Sequence, residues 1–197
     1  MPERRAIWFD EPSAAHTQAT LQAAHERATE LGIDQVVVAT TSGKTALEAA
    51  KLWGQTTGAQ VGDNAKIIGV TLHAGTWAKY APPNPDIVAE AEKHGVKFLT
   101  ATHALMGHVG NALRDKFGGI THIELIAFVL YMFSQGMKVG IEVVAMAADA
   151  GLLDMDRDVI GIAGTGGGAD TALVMKPAFT TNFFDLKVRE VICMPRT

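Results

Sequence analysis

The sequence predicts a three-layer αβα fold of the α/β class, in which helices cover both faces of a mostly parallel sheet. Short β-branched runs such as QVVVAT (35–40) lack polar alternation, which is typical of strands buried on both faces. Such runs alternate with segments whose apolar residues recur every three or four positions, the period of a helix. This alternation favours parallel pairing. A length of 197 residues suits one domain covering 1–197.

The first half of the chain has clear start and stop signals. Ser13 is a suitable N-cap for the first helix, and Gly32 is a suitable C-cap. Asn84 is followed by proline and aspartate, which favour a helix start, and Gly95 ends that helix. In order, the predicted elements are a helix at 13–31, strand one at 35–40, a helix at 44–53, strand two at 65–71, a helix from 84 to 95 and strand three at 96–100.

The second half begins with a glycine-punctuated segment, 101–119, which is predicted to be irregular. Strand five follows strand four too closely for a helical crossover, so the two are predicted to pair antiparallel. In order, the predicted elements are helices at 121–134 and 138–150, strand four at 158–164, strand five at 171–177 and a final edge strand at 186–195.

The long connection between strands three and four predicts where a ligand binds. Right-handed crossovers place successive parallel strands side by side. If the connection 101–157 returns the chain to the other side of strand one, strands one and four become neighbours at a switch point. Their carboxyl-end loops, TTSGKT (40–45) and GTGGGAD (164–170), then face the same crevice.

The first of these loops contains half of a nucleotide-binding P-loop. The motif's final GKT is present, but Val38 stands where its first glycine belongs. A helix start offers free N–H groups and a partial positive charge, which suit a phosphate. The alternative is that a hydroxyl of this loop only caps the helix. The predicted phosphate-binding residues are Thr41, Ser42, Gly43, Lys44 and Thr45.

The second loop, 164–170, is called the glycine loop because four of its first five residues are glycine. Bare backbone amides allow a ligand to approach closely. The loop leads into a strand, so it is not the dinucleotide fingerprint. The alternatives are a hairpin turn that needs positive φ and, for Asp170, a turn cap in place of a ribityl or ribose contact. The candidate ligand residues are Gly164, Thr165, Gly166, Gly167, Gly168 and Asp170.

Histidine and cysteine positions add one candidate. His73 follows strand two and is predicted to point toward the same crevice, as a ligand contact or as a structural histidine. His103 and His108 lie five apart and lack the HExxH spacing, so no metal site is predicted. No Ser-His-Asp order or carboxylate pair singles out a catalytic centre. Cys193 is predicted to be a small buried side chain in a strand.

Composition excludes several classes of function. Basic residues are scattered and the formal net charge is −4, so no nucleic-acid interface is expected. The longest apolar run, 123–133, contains Glu124 and is shorter than the roughly 20 residues that cross a bilayer. It is predicted to be a buried or subunit-interface helix, which favours a homo-oligomer. The single cysteine excludes an internal disulfide, and MPERRAIWFDEP lacks the core of a secretory signal, so a cytoplasmic location is expected.

Three stretches together resemble the C-terminal α/β domain of pyruvate kinase: VVVATTSGKTA, IIGVT, and the glycine loop entering TALVMKP. The sequence is more similar still to small stand-alone proteins of that family, over residues from about 20 to 195. The resemblance implies a sheet in the order 3-2-1-4-5 with strand five antiparallel, which agrees with the switch point above.

The resemblance also implies a ligand. In pyruvate kinases of this type, the loop that matches 41–45 holds a phosphate of a sugar-phosphate effector, and a later loop closes over it. GTGGGAD replaces the family's arginine-containing effector loop, and 101–119 has no clear counterpart in the kinase domain. The stand-alone proteins are similar to FMN binders, which implies FMN with its phosphate on 41–45 and its ribityl chain or ring beside the glycine loop.

Three classes of function follow. The first is a binding protein for FMN or another phosphorylated small molecule. The second is a flavin-dependent oxidoreductase or another enzyme that acts on a phosphorylated metabolite, since flavin supplies its own chemistry. The third is a structural subunit. Pyruvate kinase activity is not expected, because its TIM barrel needs roughly 250 residues.

Overall fold

Seven strands form one sheet in the computed structural model, which describes residues 5–54 and 65–196. The strands are β1 (Ile7–Phe9), β2 (Gln35–Ala39), β3 (Lys66–Thr71), β4 (Lys97–Thr100), β5 (Val159–Ala163), β6 (Thr171–Lys176) and β7 (Lys187–Pro195). Their order across the sheet is β1-β7-β6-β5-β2-β3-β4.

The helices mostly begin and end at the residues that the sequence indicates. Ser13 Oγ accepts a hydrogen bond from Ala15 N, Asn84 Oδ1 accepts from two backbone N–H groups, and Gly32 ends its helix with φ of 66°. The helices are α1 (Thr17–Leu31), α2 (Lys44–Gly54), α3 (Trp77–Tyr80), α4 (Pro85–Lys93), α5 (Val109–Phe117), α6 (His122–Tyr131) and α7 (Gln135–Asp149), with 3-10 turns at Ala14–His16, Ala74–Thr76 and Thr180–Asp185.

The predicted strand order 3-2-1-4-5 is confirmed, and it corresponds to β4-β3-β2-β5-β6. Strands β4, β3, β2 and β5 pair in parallel, and β6 runs antiparallel to β5. After the edge strand β1, the chain enters the middle of the sheet at β2, adds β3 and β4 on one side, and returns to the other side at β5. The switch point therefore lies between β2 and β5.

The position of β7 differs from the prediction of an edge strand. β7 pairs antiparallel with β6, and β1 pairs in parallel with its outer side, where Ile7 is aligned with Cys193. A strand of three residues carries too little periodicity to be recognised in a sequence. Cys193 is buried, as predicted, and burial raises the pKa of its thiol to about 11.

Alternation along the strands divides the core into two layers. Val36 and Val38 face α1, α2 and α4, whereas Val37 faces α7. Neighbouring residues of a strand point to opposite faces, so a run of valines serves both layers at once. In the described ranges, 5–54 and 65–196, no helix has the length and apolar character that crossing a membrane requires.

The prediction that 101–119 is irregular is wrong for its second half, which forms α5. The helix begins at His108, whose Nδ1 accepts a hydrogen bond from Gly110 N at 2.9 Å. Histidine is not among the usual N-cap residues, so the sequence carries no recognisable start signal. Helix α7 likewise begins earlier than predicted, because Ser134 Oγ accepts from Met137 N at 2.9 Å and caps it.

Candidate functional site

The carboxyl edge of the sheet brings the two candidate loops together. Strands β2 and β5 are parallel neighbours, with Val37 aligned to Gly161. Loop 41–45 follows β2 and the glycine loop follows β5, so both leave the sheet at the same edge. Thr40 N donates to Val70 O at 2.9 Å, which extends the hydrogen bonding between β2 and β3 by one residue. The carboxyl end of β3 therefore lies beside loop 41–45.

Hydroxyl groups of the loop already occupy part of the cradle predicted for a phosphate. Thr40 Oγ1 accepts from Gly43 N at 3.1 Å, and Ser42 Oγ accepts from Lys44 N at 3.3 Å. Thr40 was not among the predicted residues. The capping alternative thus accounts for two amides of this turn, and the phosphate contact of the loop stays a prediction.

Gly43 allows helix α4 to pack closely against loop 41–45. Its φ is +96°, and a Cβ there would lie 3.2 Å from Ile87 Cγ2 and 3.3 Å from Val88 Cγ2 in α4. Asn84 N also donates to Ser42 O at 3.1 Å. The close approach that glycine permits is therefore used by the first turn of α4.

Polar groups of loop 41–45 differ in access. Lys44 is 72% exposed and lies 3.7 Å from Glu48 Oε1, one helical turn away. Thr41 is also exposed, Ser42 is half-buried and Thr45 is buried. Lys44 and Thr41 are consequently the side chains of the loop that a ligand in the crevice can reach without rearrangement.

The glycine loop is partly a packed turn and partly open backbone. Gly164 and Gly168 lie against protein atoms: a Cβ on Gly164 would be 2.8 Å from Ala169 Cα, and one on Gly168 would be 3.1 Å from Ala14. Gly166 and Gly167 have φ of +67° and +105°, and a Cβ on either would have no neighbour within 4 Å. A tight turn that needs glycine explains Gly164 and Gly168, which lie against protein atoms. Gly166 and Gly167 leave room for a ligand.

Two polar side chains at the ends of this loop have buried atoms without a hydrogen-bond partner in the described structure. They are Thr165 Oγ1 and Asp170 Oδ2. Asp170 is fully buried, and its other oxygen accepts from Thr171 Oγ1 at 2.9 Å. Buried polar atoms are nearly always satisfied by protein, water or ligand, so a bound water or a ligand group is expected to complete these two atoms.

His73 packs against the segment that follows β4. Its ring meets that of His103 edge to face at 5.1 Å, and a Cβ on Gly107 would lie 2.9 Å from His73 Nε2. That nitrogen is buried and has no partner within the described residues. The side chain is at the predicted edge of the sheet, but it contacts this segment and is not shown to face loop 41–45.

Lys138 and Glu142 form a buried ion pair that sequence analysis did not single out. Their Nζ and Oε2 atoms are 2.5 Å apart, and each side chain is 3% exposed. Burial lowers the pKa of Lys138, and the Glu142 carboxylate opposes that shift. Removing two charges from water is costly unless further hydrogen bonds satisfy them. A lysine in the first turns of α7 also opposes the helix dipole, so helix stability does not explain the pair.

Glu142 of the ion pair binds the backbone of the segment 101–119, which contains His103 and His108. Four successive backbone N–H groups, those of 105–108, donate to side-chain oxygens: the first two to Glu142 Oε1 at 2.8 and 3.0 Å, the last two to Asn111 Oδ1 at 2.6 and 3.3 Å. Asn111 Nδ2 in turn donates to Glu124 Oε1 at 3.1 Å. The segment that was predicted to be irregular is thus fastened to α7 and α6.

One signal could have indicated the pair. Residues four apart on a helix with opposite charge are typical of an exposed surface. Around these two residues, however, the sequence of α7 is apolar on every side, which is typical of a buried helix. A charge pair within such a helix indicates an internal polar site.

His103 makes the stability of the protein depend on pH. Burial is the main cause that lowers the pKa of its imidazole; the Glu142 carboxylate opposes the shift and the Lys138 ammonium adds to it. The unfolded chain then binds a proton below about pH 6.5 that the folded chain resists, so stability falls as the pH falls through that range. We expect His103→Gln to reduce the difference in urea midpoint between about pH 7.5 and about pH 5.5.

His122→Gln, a change on the exposed surface, is the matched control for that experiment. The control variant is expected to show the same difference between the two pH values as the wild type. If His103→Gln also keeps the whole difference, burial of that imidazole does not cause the pH dependence.

Other surface features do not coincide with the crevice. Among the described residues, no three His, Cys, Asp or Glu side chains are grouped so that they could hold a metal ion. Open depressions lie beside 31–33 and beside Arg27, and exposed charged side chains line both.

A comparison with known families identifies a matching family model. The family model described as pyruvate kinase, alpha/beta domain matches residues 18–175. The matched range contains loop 41–45, the glycine loop and the whole of the segment 101–119.

Proposed function

This chain belongs to the pyruvate kinase alpha/beta domain family, and from that premise we propose that it binds a phosphorylated small molecule, FMN in the first instance. The proposed site is the crevice between loop 41–45 and the glycine loop. The proposal does not include phosphoryl transfer, since the barrel that carries it in pyruvate kinase is a separate domain. With a single buried cysteine, we also propose a cytoplasmic location.

The observation that carries the proposal is the pairing of β2 with β5 at the switch point. Two loops that are rich in hydroxyl groups and glycine leave the sheet side by side. On one of them, the exposed ammonium of Lys44 stands at the start of an 11-residue helix. A helix start and a lysine both attract a phosphomonoester, which carries about −1.5 to −2 charges at pH 7.

The donor set also suits the rest of FMN. Gly166 and Gly167 expose backbone with open space beside it. Thr165 Oγ1 and Asp170 Oδ2 lack partners in the described structure, and a ribityl chain offers hydroxyl groups that donate and accept. Lys44 and Thr41 would hold the phosphate, and the glycine loop would hold the ribityl chain. Bound flavin would supply electron transfer.

A second candidate function, an enzyme, is favoured by the buried pair of Lys138 and Glu142 near His103. Buried ionisable groups with shifted pKa values are concentrated at functional sites, and this cluster lies at the same edge of the sheet. If the protein is a flavin oxidoreductase, the FMN-loaded form oxidises NAD(P)H, which absorbance measures directly. A binder without catalytic function leaves NAD(P)H at the background rate.

Lys44→Ala tests the proposed function. We expect it to weaken FMN binding about 10-fold or more, because a hydrogen bond to a charged group contributes roughly 1.5–3 kcal/mol and exposure of this lysine places the loss toward the lower end. Riboflavin lacks the phosphate, so it should bind both proteins weakly and equally. Quenching of flavin fluorescence gives both affinities.

The matched control is Lys51→Ala, which removes the same charge from the last turn of the same helix. It should leave FMN affinity within about twofold of the wild type, because the helix carries its partial positive charge at the other end. Equal FMN affinity of Lys44→Ala and wild type, or equal affinity of the wild type for riboflavin and FMN, would mean that the loop only caps α2.

A further inference from the structure

Helix α5 presents its large apolar side chains to solvent, whereas two of its polar side chains contact the protein. Val109, Leu113 and Phe117 recur every four residues along one stripe and are 76%, 49% and 73% exposed. Asn111 and Arg114 are on the inner side, where they donate to Glu124 at 3.1 and 2.6 Å. A surface helix normally turns its apolar stripe toward the core, so the exposed stripe of α5 is unusual.

Helix α6 continues the same arrangement. Its glutamate, Glu124, is fully buried, whereas Phe128, Val129 and the following Met132 are exposed. The carboxylate accepts from Thr121 N and Oγ1, each at 2.9 Å, and these hydrogen bonds with Arg114 satisfy it inside. The hairpin of α5 and α6 thus buries the Glu124 carboxylate and leaves its large apolar side chains exposed, an arrangement that favours a partner covering them.

The exposed apolar area of the two helices approaches that of a protein interface. Its main side chains are called the α5–α6 patch and are Val109, Leu113, Phe117, Phe128, Val129 and Met132. At roughly 100 Å² each they expose on the order of 600 Å², which is near the 800 Å² per partner of a standard interface and at the upper limit for a monomer. Further exposed apolar side chains at 120, 125 and 133 enlarge the face.

The charges around the patch decide which partner fits. A helix that binds a membrane surface carries many Lys and Arg residues beside its apolar face, whereas α6 has none. Beside the stripe of α5, Arg114 pairs with Asp115 at 2.8 Å and Lys116 follows, so both signs are present. A face with charges of both signs can pair with its own copy across a two-fold axis, because opposite charges then meet.

We propose that the α5–α6 patch binds the same patch of a second copy of this chain, so that the protein is a homodimer with an isologous helical interface. The two apolar stripes cover one another, and the charged rim stays in solvent. This proposal does not rest on the ligand proposed above, because the residues that carry it are outside loop 41–45 and the glycine loop.

Sedimentation equilibrium of the full chain at micromolar concentration tests the interface. The expected wild-type mass is twice 20.9 kDa. Phe117→Asp is expected to raise the dimer dissociation constant at least about 100-fold, because it removes an aromatic contact and brings like charges together across the axis. Val129→Asp, on the other helix of the patch, should act in the same direction.

The matched control is Phe184→Asp, which changes a phenylalanine that is 76% exposed and lies outside the patch. It should keep the wild-type mass, and circular dichroism should show that all three variants are folded. A wild-type mass of 20.9 kDa, or a dimer that folded Phe117→Asp and Val129→Asp both leave intact, overturns the proposal. Monomeric wild type that sediments with phosphatidylglycerol vesicles, where Phe117→Asp does not, assigns the patch to a membrane instead.

Discussion

Glu142→Leu is expected to destabilise the protein by about 3–5 kcal/mol, because it leaves the Lys138 ammonium buried without its partner. The same change removes the acceptor of two backbone N–H groups, at 105 and 106. Urea unfolding measures the loss as a lower midpoint. A loss below about 1 kcal/mol would mean that Lys138 reaches solvent and is not truly buried.

The double variant Lys138→Met with Glu142→Leu separates the effect of the unpaired buried charge from the effect of the lost hydrogen-bond acceptor. It leaves no unpaired charge, so it should be more stable than Glu142→Leu alone. It should still be less stable than the wild type by about 2 kcal/mol, since two buried N–H groups remain without an acceptor. Glu90→Gln, which breaks the exposed pair with Lys93 at 3.0 Å, is the surface control and should leave the midpoint unchanged.

Gly136→Ala is the second change with a large expected effect, a loss of about 3 kcal/mol. In the first turn of α7, a Cβ on this residue would overlap the side chain of Thr171 and lie 2.9 Å from Asp170 Oδ1. Alanine favours a helix by about 1 kcal/mol over glycine, but overlap with a fully buried neighbour outweighs that gain. Thermal or urea unfolding measures the difference.

Gly54→Ala is the control, because it makes the same substitution at another helical position. A Cβ there would have no neighbour within 4 Å among residues 5–54 and 65–196, so the variant should be as stable as the wild type or slightly more stable. If Gly136→Ala is as stable as Gly54→Ala, the start of α7 can move away from β6 with little loss of stability. The contact with Asp170 then does not restrain the glycine loop.

The two faces of the carboxyl edge have different chemistry. Loop 41–45 begins α2, on the face that also carries α1 and α4, and its reachable groups are exposed. Lys138 and Glu142 belong to α7 on the opposite face and are buried. A ligand that spans the edge would meet an exposed cation at one end and a buried polar cluster at the other, which is why binding and catalysis need separate tests.

Local patterns were sufficient for most of the fold. Neighbouring residues were enough to predict the strands β2, β3 and β5 and the helix start at Asn84. A general rule of chain topology was enough to predict that β5 and β6 pair antiparallel, because their connection is short. The strand order and the meeting of the two loops follow from the crossover rules together with the resemblance to the pyruvate kinase α/β domain. β1 was missed because three residues carry no period.

The site was less predictable than the fold, because its contacts join distant parts of the chain. Nothing near Gly43 in sequence indicates that Ile87 and Val88 pack on it. Helix α5 was missed because His108 is an uncommon cap and because its apolar stripe faces solvent. The Lys138–Glu142 spacing is equally typical of an exposed pair.

By itself, the sequence determined the α/β class, through the period of its apolar residues. The strand order and the common edge of the candidate loops followed from the crossover rules together with the resemblance to the pyruvate kinase α/β domain. Only the tertiary structure decided that Lys138 and Glu142 are buried, that Glu142 accepts from the backbone N–H groups of 105 and 106, and that α5 and α6 leave large apolar side chains exposed. The physical reason is that burial of a polar group depends on which distant residues cover and satisfy it.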